Sequence, residues 1–74
     1  MRYRWRSLRY GGEPFSFERV DGWEASGKRV VWAVSRGGEF IGTVTIAEEI
    51  TTKDFDVRCT RWLADVLGGN LPAR

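Results

Sequence analysis

The chain contains no histidine, one cysteine, two prolines and one methionine. Without histidine, neither Ser-His-Asp nor Cys-His catalysis is available. Cys59 alone cannot supply an ordinary structural zinc site, which takes four Cys or His ligands. A single cysteine forms no intrachain disulfide, which points to a reducing compartment. No run approaches the ~20 apolar residues of a membrane-spanning helix. The opening MRYRWRSLRY has no apolar stretch of the kind a secretory signal carries. A cytoplasmic protein that does not use the membrane is expected. Phosphate-binding loops are missing too: SGKR at 26–29 lacks the Walker spacing, and no G-x-G-x-x-G occurs. Glu48 and Glu49, then Asp54 and Asp56, form the one acidic cluster. Acids there complement the positive end of a helix, which explains them without catalysis or a bound Mg²⁺. No enzyme activity, cofactor or metal is expected.

What is present suits one small domain spanning 1–74. Hydrophobic residues make up 42% of the chain, enough for a globular fold. Four Trp and four Phe strengthen what would be a thin core, since each aromatic buries roughly 150–250 Å². The net charge of +2 hides an asymmetry. Arg2, Arg4, Arg6 and Arg9 make the first nine residues strongly basic, and the rest of the chain is net acidic. A local positive patch is what an anionic partner would meet.

Hydrophobic periodicity divides the chain into short strands and one helix. From Arg2 to Tyr10 residues alternate, Tyr3 and Trp5 opposite Arg2, Arg4 and Arg6, which is the period of a strand. Leu8 and Tyr10 have the other parity, and a bulge near Arg6–Ser7 is expected to shift the phase. GGEP at 11–14 marks a turn, and FSFERV at 15–20 a second strand with Phe15 and Phe17 on one face. Asp21-Gly22 closes a tight hairpin, or DGWEASGK forms one longer loop. RVVWAVS and EFIGTVTI are β-branched and aromatic runs joined through RGG. A two-residue Gly37-Gly38 turn pairs Arg36 with Glu39, Val34 with Ile41 and Trp32 with Thr43. It places Ala33 beside Gly42 and Val31 beside Val44.

The helix is punctuated at both ends. Ile50 precedes a Thr51 cap, Asp54 follows three residues later, and Phe55 is placed to pack back on Ile50. A start capped by Thr45 gives a less continuous stripe. Phe55, Cys59, Trp62, Leu63 and Val66 recur on one helical face, so Cys59 is expected in the core. Gly68-Gly69 and Pro72 end the helix. The expected fold is therefore α+β: an antiparallel sheet of about four strands (three to five) packed on one C-terminal helix over about 52–67. The small pair Ala33 and Gly42 suggests that the helix covers the face of Val31, Ala33, Phe40, Gly42, Val44 and Ile46. Trp32 would then stand on the opposite face with Val30, Val34, Ile41, Thr43 and Thr45.

The order VVWAVSRGGEFIGTVTIAEEI followed by a helix resembles AP2-type plant DNA-binding domains and the arm-binding domains of phage integrases. Gly42, Thr43, Thr45, Ala47, Glu48 and Glu49 are the matching residues, over about half the chain. The resemblance implies a three-stranded sheet with a C-terminal helix, reading DNA through the sheet face opposite the helix, by way of Trp32 and its neighbours. Those families carry several arginines on that face, whereas the outward positions expected here are Val30, Val34, Ile41, Thr43 and Thr45.

Two functions follow as expectations. The first is non-catalytic nucleic-acid binding. Arginine matches phosphate geometry, and exposed aromatics stack on bases. Its residues would be Arg2, Arg4, Trp5, Arg6, Arg9, Arg29, Trp32 and Arg36. The alternative is a protein-interaction module or homodimer, such as a phage or mobile-element protein that binds a host factor. It would use Val30, Trp32, Val34, Ile41 and Thr43, because an exposed apolar patch usually marks an interface. The arginines would then serve to keep an edge strand from pairing.

Overall fold

The computed structural model describes residues 4–20 and 28–68. Four strands, β1 (Trp5–Tyr10), β2 (Glu13–Arg19), β3 (Arg29–Arg36) and β4 (Glu39–Ala47), precede one helix, α1 (Thr52–Gly68). The strands form an antiparallel sheet in the order β1-β2-β3-β4. The expected α+β class, strand number and helix position all hold. Arg2, Tyr3, Gly69 and Pro72 lie outside the described residues, as does the Asp21-Gly22 turn.

The two hairpins β1–β2 and β3–β4 are closed by glycine pairs. Gly11 and Gly12 have φ of 61° and 83°, Gly37 and Gly38 of 58° and 87°. Two successive positive φ values match the twist of the flanking strands, a conformation that side chains with a Cβ resist. Tyr10 accordingly faces Glu13, and Arg36 faces Glu39.

The helix covers Gly42, Val44 and Ile46 of β4 as expected, but on β3 it covers the face opposite to the one expected. Trp32 is only 4% exposed, and its ring centroid lies 4.7 Å from that of Phe55. Phe15, Phe17, Val30, Trp32, Val34, Val44 and Ile46 of the sheet enclose Phe55, Cys59 and Leu63 of α1. The cause is a bulge in β4. Ser35 pairs with Phe40 but Val34 pairs with Gly42, leaving Ile41 as the extra residue. A one-residue slip moves side chains to the other face. Gly42 therefore stands opposite Val34 rather than Ala33, and Trp32 opposite Val44 rather than Thr43. Phe40 is left on the outer side. Gly42 does make room for the helix, as its size suggested. A Cβ built there would lie 3.1 and 3.2 Å from Cζ2 and Cη2 of Trp62.

The bulge expected near Arg6–Ser7 is absent, since β1 pairs with β2 without interruption from Trp5/Glu18 to Tyr10/Glu13. The change of parity has another origin. Leu8 and Tyr10 pack toward the core while Trp5 points away from it.

The Thr51 start is correct. Its Oγ1 accepts the Asp54 N–H at 3.1 Å, and its carbonyl accepts the Phe55 N–H at 2.9 Å. Ile50 packs against the core cluster to which Phe55 belongs.

Candidate interaction face

One helix covers one side of the sheet, so the other side is open among the described residues. Strand alternation decides what that side presents. Trp5, Ser7 and Arg9 of β1 share it with Pro14, Ser16 and Glu18 of β2. Arg29, Val31, Ala33 and Ser35 come from β3, and Phe40, Thr43, Thr45 and Ala47 from β4. The register aligns two rows across the sheet, Trp5–Glu18–Ala33–Thr43 and Ser7–Ser16–Ser35–Phe40. Trp5 is 57% exposed and Phe40 62%. They stand at opposite edges, three strand spacings or about 14 Å across the sheet and one row apart along the strands, and short side chains fill most of the floor between them. Glu18 is the one acid there; Arg9 and Arg29 lie at opposite ends.

The basic strand does not present its arginines together. Arg6 is on the helix side, where Nε and Nη2 each reach a carboxylate oxygen of Asp56 at 2.7 Å. This bidentate pair ties β1 to α1. Arg36 is also on the helix side, 2.8 Å from Glu13 and over the Phe15 ring at 5.9 Å. Arg4 is exposed just before β1, and its carbonyl accepts the Arg19 N–H at 2.8 Å. Arg9 donates to the Gly12 carbonyl at 2.7 Å and stays exposed on the open face. Arg29 is exposed at the start of β3. Of the eight residues expected to meet nucleic acid, the fold brings Trp5, Arg9 and Arg29 onto one surface. Trp32 is in the core.

The set expected for a protein partner is largely inside. Val30, Trp32 and Val34 are buried, and Ile41 packs against the core. They cannot form a surface, because α1 lies on their side of the sheet. Thr43 alone is on the open face. Phe40, the most exposed of the large apolar residues there, is a core residue by strict alternation, and the bulge puts it outside instead. A glycine inside a strand is the signal that could have found it, since Gly42 marks the bulge.

The backbone at the two edges is equally defined. The Arg19-to-Arg4 bond fixes which β1 residues bond to β2, so Trp5, Ser7 and Arg9 turn their N–H and C=O groups outward. On β4 the Glu48 N–H donates to the Lys28 carbonyl at 2.7 Å. By the same alternation Thr43, Thr45 and Ala47 face away from β3.

Comparison with models of known protein families, with characterised proteins and with solved structures finds no significant match to this chain. Among the described residues no helix is long and apolar enough to cross a membrane.

Proposed function

We propose that this chain is a small non-catalytic association domain whose protein partner lies on the open sheet face. The observation that carries this is the exposure of Trp5 and Phe40 on one uncovered face, around a floor of serine, alanine, threonine and valine. Large aromatic anchors with little charge between them are the composition of an interface centre. The diversion of Arg6 and Arg36 into ion pairs on the helix side further lowers the charge available to phosphate. The test places a photo-crosslinking amino acid at Ser7 or Ala33, and at Thr60 on the exposed side of α1 as a control, in the cell that makes the protein. Protein adducts from the sheet positions and none from Thr60 are expected. No adduct from either sheet position would reject the proposal.

A second reading is favoured by Trp5, Arg9 and Arg29 sharing that face. It is a single-stranded nucleic acid stacked on Trp5 with phosphates on the two arginines. The resemblance to AP2-type domains also points to the face opposite the helix, which here carries these residues and not Trp32. Two phosphate contacts give a log–log salt slope of about −1.4 on a single strand. Fluorescence anisotropy of labelled oligonucleotides at several salt concentrations measures that slope. Binding without salt dependence, or no binding at low salt, eliminates this reading.

A further inference from the structure

The β4 edge carries a second, chemically different surface. We infer that it accepts an acidic extended peptide as a fifth strand. Thr43, Thr45 and Ala47 turn their backbone N–H and C=O groups toward this edge, which holds neither proline nor lysine; among the described residues only the Arg58 side chain reaches one of these groups. Natural edges exposed in this way are templates for an added strand. The opposite edge differs, since β1 carries Arg6 and Arg9.

What overhangs the β4 edge sets the partner's chemistry. One side of α1 forms a notch with it, lined by Val44, Arg58, Arg61, Trp62 and Asp65. Trp62 is drawn onto the sheet through the space at Gly42. Arg58 reaches the edge itself, its Nη2 lying 3.5 Å from the Thr45 carbonyl. That separation is at the outer limit for a hydrogen bond. An incoming strand would donate a peptide N–H to the same carbonyl and release Arg58 to a carboxylate. Residues of the added strand on the helix side of the sheet would meet Arg58, Arg61 and the Trp62 ring. Glutamate or aspartate at alternate positions fits the two guanidiniums, and Asp65 at the end of the notch disfavours a longer acidic run. This inference is independent of the use made of the open face.

The probe is a blocked octapeptide alternating threonine and glutamate, titrated into the full chain and followed by amide NMR. Three results are expected together. The Thr43 and Thr45 amides shift and gain exchange protection. N-methylation of alternate peptide nitrogens on the bonding side abolishes binding. Changing Arg58→Gln and Arg61→Gln together weakens it by about tenfold or more. Because these arginines are exposed, the doubly substituted protein should keep the native spectrum, and the N-methyl peptide tests the edge with the protein unaltered. Equal affinity for a threonine–lysine peptide overturns the inference, as does indifference to N-methylation or no shift at about millimolar peptide. A response of the notch to oligo-dT, without protection of the edge amides, overturns it in favour of a phosphate site.

Discussion

The two tryptophans at 5 and 32 do opposite things, and the difference is measurable. Trp32 packs against Phe55 between sheet and helix, whereas Trp5 projects from the uncovered side. Trp32→Ala should cost about 3–5 kcal/mol, through lost burial and the cavity left behind. Trp5→Ala should change stability by no more than about 0.5 kcal/mol. Urea denaturation midpoints of the two variants check this, and comparable losses would mean that the face assignment is wrong. Gly42 is the second position where one residue decides a packing arrangement. Its φ of 156° and the Trp62 ring 3.1 Å from a built Cβ both act against a side chain. Gly42→Ala is expected to destabilise by about 1–3 kcal/mol. Trp62→Leu in the same background should recover part of the loss, and a lack of recovery would place the cost in the backbone alone.

At the scale of elements, α1 is fixed at its start by two separate contacts. Thr51 caps it, and the Arg6–Asp56 pair clamps its first turns to β1. Thr51→Ala should cost about 1 kcal/mol. The Arg6→Gln/Asp56→Asn double-mutant cycle should give a coupling near 1 kcal/mol, the upper end for a partly exposed pair, because the geometry is bidentate. A coupling of zero would show the pair to be incidental. This clamp also explains what the sequence could and could not reveal. Strand and helix periods, the glycine turns and the Thr51 cap are local signals, and each led to the right element. Which face the helix covers is not local. It turned on one extra residue at Ile41, and the wrong register put Phe40 in the core and Trp32 outside it. The arginines of β1 fail to form one surface for a related reason. Their spacing shows which of them share a face, but not that Asp56, fifty residues later, is there to meet Arg6.

For the whole molecule, a thin core makes the state of every buried group matter. A domain of this length has a stability of roughly 4–11 kcal/mol, and Cys59 is a fully buried member of the cluster that provides it. Burial, with the nearby Asp56 charge adding to it, pushes the Cys59 thiol from 9.0 up to about 12, against smaller opposing effects of Arg58 and Arg6. Above pH 9 the unfolded chain releases this proton while the folded chain retains it. The unfolded state then binds fewer protons, so stability falls as pH rises. The loss should begin near pH 9 and continue toward pH 12, at about 1 kcal/mol per pH unit. Cys59→Ala should flatten this part of the profile, whatever it does to stability at neutral pH. A wild-type profile that matches the variant's above pH 9 would mean that the thiol ionises in the folded protein. The same burial makes Cys59 a reporter of global opening. Its reaction with a disulfide reagent should be slow in the native state and accelerate with urea in parallel with unfolding. Fast labelling in the absence of denaturant would show that α1 lifts from the sheet independently of the rest of the fold.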